Sequence, residues 1–290
     1  MDLGKTMNGW IIYEREAAAY NRRYISFYEE ECRVRGIQLR LILTEELDFG
    51  VKNGALYLRY QGEDVAAPDF AFCRAIYPLL SKHLELMGVR VFNRSEVAKI
   101  CNDKSATYQM VASAHVPIVE SRFLKREYIP EFLKNTDYPG VLKTVNGHGG
   151  AEVFLLKNFP GEDVLSRFRA NDAVWQPRCG CGKDLRVYVV GNQIIAAVMR
   201  ESTEGFRANY SQGGKVSLYS LSEDEKKIVE QILSLGWFDF VGIDFIIGDY
   251  GELIFNEIED IVGSRMLYAV SDLDIVHIFM DYVEATMKQR

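Results

Sequence analysis

The sequence predicts an α/β chain, with a parallel-sheet domain first and two α+β lobes after it. Three observations carry that expectation. Through the first hundred residues apolar strands alternate with helical patterns, the layout of βαβ units and a parallel sheet. After Asn93 short strands and helices surround a glycine-bearing loop. Beyond Gly180 the β-branched runs come in hairpin order. The boundaries follow as 1–100 for the N-terminal domain, 101–178 for a central lobe and 179–290 for a C-terminal lobe.

In order, "GWIIYE" reads as a strand, "AYNRRYISFYEEECRVRG" as a helix ending at Gly36, and "IQLRLILTEE" as a second strand. "GALYLRYQGEDV" has the look of a small hairpin. "FAFCR" is a strand, "YPLLSKHLELMG" a helix whose Pro78 suits a first turn, and "VRVFN" the next strand. The stretch "SEVAKICNDKSATYQMVASAHV" is helical with a break at Asn102-Asp103, where Asp103 caps a new helix. A strand "PIVESRFL", a helix "PEFLKN" and the strands "PGVLKTV" and "AEVFLLKN" around "NGHGG" follow, then a short helix near 162–169 and the strand "AVWQPR". "LRVYVVGNQIIAAVMRES" is a hairpin turning at Gly191-Asn192. "SEDEKKIVEQILSLG" has Ser222 and Glu225 at capping-box spacing, and the acidic hairpin 241–259 and a C-terminal helix close the chain.

The net charge of −7 over 290 residues argues against a nucleic-acid surface, which is normally basic. No apolar run approaches the roughly 20 residues of a membrane helix, and "MDLGKTMNGW" lacks signal-peptide character. Five scattered cysteines do not form a disulfide framework, so a cytoplasmic protein is expected. The "CGCG" at 179–182 supplies two thiols where structural zinc takes four ligands, and reads as a glycine-rich connector.

The chemistry-bearing residues begin with the acids of the last hairpin. A carboxylate removed from water is costly unless it is paired or holds a cation. In "LIFNEIED" Glu257 and Glu259 share a face by strand alternation, and Asp244 sits across the "GDYG" turn. Three hard oxygens there suit Mg²⁺, although an edge strand with acids facing water gives the same pattern. Lys143 stands on the apolar strand of "VLKTVNGHGG", ahead of Gly147, His148, Gly149 and Gly150; glycines let backbone N–H groups approach phosphate, though most such loops are turns. Lys104 opens the helix after Asp103. Arg186, Arg200, Arg207 and Arg265 suit bidentate capture of carboxylate or phosphate.

The order of these features resembles the ATP-grasp superfamily, and within it the RimK-type carboxylate–amine ligases, most specifically over residues 103–265. The resemblance implies an ATP-grasp fold, with the two later lobes clasping a nucleotide. It implies ATP and Mg²⁺, or Mn²⁺, as cofactors. Lys104 and Lys143 then match the lysines that contact phosphates, and the loop 146–150 the phosphate-covering loop. Gln176, Pro177 and Arg178 match the strand whose backbone meets adenine. Asp184 and Arg186 match an Asp-x-Arg strand in the nucleotide and substrate cleft. Arg200, Arg207 and Asn209 match residues around the γ-phosphate and acceptor carboxylate. Asp244, Glu257 and Glu259 fall on the metal positions.

Two departures from the family pattern matter. Glu259 replaces the usual Asn, an added charge that Arg265 is placed to offset. The hinge lacks its acidic residue and carries Pro177, which has no N–H. The implied reaction joins a small-molecule or peptide carboxylate to an amine, such as an amino acid, through an acyl phosphate. A kinase on the same fold and a non-catalytic regulatory nucleotide-binding protein are the alternatives. No nucleic acid or membrane is expected as partner, and a homo-oligomer is what the resemblance suggests.

Overall fold

The computed structural model describes residues 6–147, 152–160, 166–180, 182–201 and 215–290. It begins with β1 (Asn8–Tyr13), α1 (Arg15–Tyr20), α2 (Arg22–Val34) and β2 (Gln38–Leu43). The single helix expected here is two, because the backbone of Asn21 between them leaves the helical region at φ −100° and ψ 17°. The small hairpin gains a third strand: β3 (Leu47–Lys52) precedes β4 (Ala55–Tyr60) and β5 (Glu63–Asp64). Then come β6 (Phe70–Cys73), α3 (Pro78–Leu86) and β7 (Arg90–Phe92). The parallel sheet runs in the order β2-β1-β6-β7, so the strand order reverses between β1 and β6.

The middle of the chain holds α4 (Ser95–Cys101), α5 (Lys104–Ala112), β8 (Arg122–Lys125), α6 (Ile129–Lys134), β9 (Gly140–Thr144), β10 (Val153–Leu156) and β11 (Asp172–Pro177), with sheet order β10-β9-β11-β8. Asp103 caps α5 by accepting from the Ala106 N–H at 2.9 Å. The strand expected over 117–124 is shorter, because its first residues go elsewhere. The Pro117 carbonyl accepts from the Phe255 N–H at 2.8 Å, and Ile118 bridges to Phe255. Of the helix expected near 162–169, residues 162–165 lie outside the described residues and 166–167 are helical.

The last part contains β12 (Lys183–Val190), β13 (Gln193–Glu201), β14 (Lys215–Tyr219), α7 (Glu223–Leu233), β15 (Phe240–Ile247), β16 (Leu253–Glu259), α8 (Arg265–Val270) and α9 (Ile275–Lys288). Its antiparallel sheet runs β14-β13-β12-β15-β16. The capping box of Ser222 and Glu225 starts α7. The expected C-terminal helix is preceded by α8.

Apolar packing joins the parts. Phe72 and Phe92 of the parallel sheet and Phe240 of β15 surround Phe279 of α9, with ring centroids 5.4, 6.1 and 5.0 Å from it. Beside them the fully buried Asp239 accepts from Arg90 at 2.5 and 3.1 Å and from the Tyr282 hydroxyl at 2.5 Å. The Asn93 amide donates to the Phe240 and Asp260 carbonyls at 2.7 and 3.1 Å. These contacts hold the ends of β15 and β16 against the parallel sheet.

Candidate functional site

The site lies on one face of the antiparallel sheet, and register builds it. Arg186 pairs with Asp244, Asp184 with Arg200, Asp244 with Glu257 and Gly242 with Glu259. All six charged residues therefore share a face. Strict alternation would also put Phe255 there, since it lies two residues from Glu257. A bulge prevents this: after Asp244 opposite Glu257, Phe245 pairs with Phe255 and Asn256 is passed over. Phe255 is thereby buried in the core while Glu257 faces the cleft.

The charges on this face are tightly paired. Arg186 donates to both Asp244 oxygens at 2.7 Å and meets Glu259 at 2.7 Å. Arg200 donates to Asp244 at 2.9 Å and to Asp184. Burial disfavours the Asp244 charge, but the two guanidiniums outweigh it and hold its pKa below the usual range. Asp184 goes the other way: burial lifts it to about 6 against the pull of Arg200. Arg265, expected to offset Glu259, does not do so. Its guanidinium lies over the Tyr20 ring at 4.2 Å and donates to Asn21 at 3.1 Å, and Arg186 takes the offsetting role.

The central lobe supplies the opposite wall. Lys143 on β9 is buried and donates to the Tyr108 hydroxyl at 2.6 Å. Burial lowers its pKa to about 8, opposed by Glu257. Lys104 donates to the Gly147 carbonyl at 2.5 Å. Its pKa is lowered by burial and by Lys143, while Glu257 and Glu259 pull it up. Glu257 thus faces both lysines, and Tyr108 is a site residue that the sequence reading missed. Its spacing in the helix reads as core, so only the phenol's contact with Lys143 marks it.

The donor set can be tested against a divalent ion. Among the described residues no three of His, Cys, Asp and Glu are grouped to hold one. Of the expected trio, Asp244 has both oxygens engaged by arginines and Glu259 meets Arg186. Glu257 and Glu259 remain as two hard oxygen donors beside the lysines, and these fit Mg²⁺, which needs only one or two protein carboxylates when phosphates and waters complete its shell.

The hinge is less open than its resemblance implies. The Gln176 amide donates to Ser121 at 2.9 Å, and the Arg178 N–H donates to the Pro139 carbonyl at 3.0 Å. Since Pro177 has no N–H, the backbone offers adenine no free donor at 177 or 178. His148, Gly149, Gly150, Arg207 and Asn209 lie outside the described residues. A cavity of about 330 Å³ adjoins the acids, walled by Lys104, Glu257, Glu259, Asp260, Tyr13 and Arg74. The Asp260 carboxylate accepts from the Asn102 amide at 2.8 Å, with burial lifting its pKa to about 6.

A family model described as the RimK-like ATP-grasp domain matches residues 101–283. The chain belongs to this family. As a RimK-like ATP-grasp protein it is 28% identical over 278 residues to beta-citrylglutamate synthase B of Homo sapiens, covering 89% of this chain and 71% of that protein. A probable alpha-L-glutamate ligase of Saccharophagus degradans is 26% identical over 292 residues, covering 96% of this chain and 95% of the relative. Among solved structures, the ATP-grasp ligase PsnB, complexed with a phosphomimetic precursor variant, Mg and ADP, superposes with a TM-score of 0.69 at 18% identity, covering 97% of this chain and 99% of that one. The fold is that of the ATP-grasp ligases. Among the described residues no helix is long and apolar enough to cross a membrane.

Proposed function

We propose that this RimK-like protein is an ATP-dependent carboxylate–amine ligase. The observation that carries the reading is Lys104 and Lys143 facing Glu257 and Glu259 across one cleft, beside Arg186 and Arg200. The synthase and ligase names of its relatives, and the Mg and ADP bound by PsnB, support it.

In the first step an oxygen of the substrate carboxylate attacks the γ-phosphorus of ATP. The bond to the bridging oxygen breaks, leaving an acyl phosphate and ADP. In the second an amine nitrogen attacks the acyl carbon, the C–O bond to phosphate breaks, and the nitrogen loses a proton. Lys104 and Lys143 meet the phosphate charge, with Gly147, His148, Gly149 and Gly150 covering it to keep water from the acyl phosphate. Arg186 and Asp184 line the cleft, and Arg200, Arg207 and Asn209 hold the transferred phosphoryl group and the acceptor carboxylate. Gln176, Pro177 and Arg178 adjoin the adenine. Mg²⁺, or Mn²⁺ in its place, would be held by Glu257 and Glu259, with Asp244 behind them, and would neutralise phosphate charge. Arg265 borders the anionic substrate. The reading extends to a cytoplasmic enzyme, where ATP is abundant, and to a homo-oligomer.

Incubation with MgATP and mixed amino acids tests this. ADP and free phosphate released only with substrate, and abolished in Glu257→Gln with an unchanged melting profile, are expected. ADP with a stable phosphorylated product would make the protein a kinase. Nucleotide binding without turnover would make it regulatory.

A further inference from the structure

The small three-stranded sheet after β2 has an open edge, since β3 is an outer strand in the order β3-β4-β5. Its turn to β4 is Asn53-Gly54, both at positive φ, and Lys52 pairs with Ala55 across it. The pair that closes such a two-residue turn exchanges hydrogen bonds, and hydrogen-bonded pairs alternate along an antiparallel ladder. Asp48 and Gly50 therefore also direct their backbone groups to β4. The Gln61 N–H, donating to the Glu46 carbonyl at 2.9 Å, follows the same alternation. Phe49 and Val51 direct theirs away from β4, and among the described residues no hydrogen bond reaches those outward groups.

The side chains give this edge two distinct faces. Leu47, Phe49 and Val51 share one by strand alternation, and Asp48, Gly50 and Lys52 share the other. The Phe49 ring lies 5.5 Å from that of Tyr77 and 5.0 Å from that of His83, so α3 covers this part of the apolar face. Val51 on the same face is 70% exposed, and Ile76, Tyr77 and Leu79 around the start of α3 are exposed as well. On the other face Asp48 accepts from the Tyr57 hydroxyl at 3.1 Å and Lys52 is exposed, neither with an ion pair among the described residues.

The strand is complementary to itself. Laid antiparallel on a second copy about Gly50, it sets Phe49 against Val51 and Asp48 against Lys52. Phe49 and Val51 are the residues with outward backbone groups, so they meet as hydrogen-bonded pairs. Asp48 and Lys52 then fall at the non-hydrogen-bonded positions, where side chains stand closest and opposite charges attract. Gly50 at the axis adds no side chain of its own. A Cβ there would stand 3.1 Å from the Tyr57 ring.

We propose that β3 is the contact of a two-fold symmetric dimer, in which two copies of this chain join their small sheets through antiparallel β3 pairing. A strand of another protein would find the same bare backbone. The match of Asp48 to Lys52 about Gly50 favours the second copy. The apolar face stays continuous across the axis, with Val51 of each copy beside Phe49 of the other.

Sedimentation equilibrium of the full chain tests this. The wild type is expected at twice the mass of one chain. Val51→Pro removes an outward N–H that bonds to nothing within the chain, and is expected to abolish the dimer with the far-ultraviolet circular dichroism unchanged. Lys52→Asp sets carboxylate against carboxylate and Asp48→Lys sets ammonium against ammonium, so each alone is expected to raise the dimer dissociation constant about tenfold. Mixed in equal amounts, those two variants are complementary at both positions and are expected to recover the dimer. A monomeric wild type, or assembly unaltered by Val51→Pro, overturns the proposal. A mixture that associates no more tightly than either charge variant alone overturns it too, and decides the matter should Val51→Pro not fold. The pairing does not depend on turnover. A monomer that releases ADP with substrate would sink this inference alone, and a β3 dimer without that release would sink the ligase reading alone.

Discussion

Lys143 is the residue at which burial and function meet most directly. Its ammonium is out of water, and burial brings its pKa to about 8. Only the protonated form attracts phosphate, so nucleotide affinity is full below that pKa and falls as pH rises through it. Linkage puts the Kd for a nonhydrolysable ATP analogue roughly tenfold higher at pH 9 than at pH 7. In Lys143→Arg, whose guanidinium stays charged, that pH dependence is expected to vanish, and fluorescence titration across the range checks it. Lys143 and Glu257 were legible in the sequence because a charge on an apolar strand is conspicuous. Tyr108 was not, since a tyrosine in a helix looks ordinary until its partner is known. The partners of Arg265, Tyr20 and Asn21, lie some 240 positions away in the chain, beyond any local pattern.

At the scale of elements, β15 and β16 position the acids, and two local features make that possible. The bulge at Asn256 separates Phe255 from Glu257 across the sheet, and nothing in "LIFNEIED" announces it. Gly242 gives Arg186 room: a Cβ there would stand 2.7 Å from Val262 Cγ2 and 3.2 Å from Arg186 Cδ. Gly242→Ala is expected to destabilise the protein by about 1–3 kcal/mol, read from the urea midpoint, and to lower turnover by displacing the arginine. Long periodic elements such as α7 and the β12–β13 hairpin were readable, caps included. The short strand β3 and the Asn21 break were not, because one depends on pairing across a turn and the other on a single residue's backbone conformation.

For the whole molecule, the βαβ layout of the first hundred residues was visible, whereas the docking of that sheet onto the C-terminal lobe was not. That docking centres on Arg90, Asp239 and Tyr282. Removing one member of a buried pair leaves the other charge stranded, so Asp239→Ala is expected to cost about 3–5 kcal/mol in denaturant unfolding. A loss under 1 kcal/mol would show that the Arg90–Asp239 pair does not hold the two parts together. The bridge from Pro117 and Ile118 to Phe255 has a further effect. It occupies part of the outer margin of β16, where bare backbone would invite a foreign strand. Aggregation by strand addition at this margin must first peel the linker away, so stress that loosens residues 117–118 should promote fibril-like self-association before the parallel sheet melts.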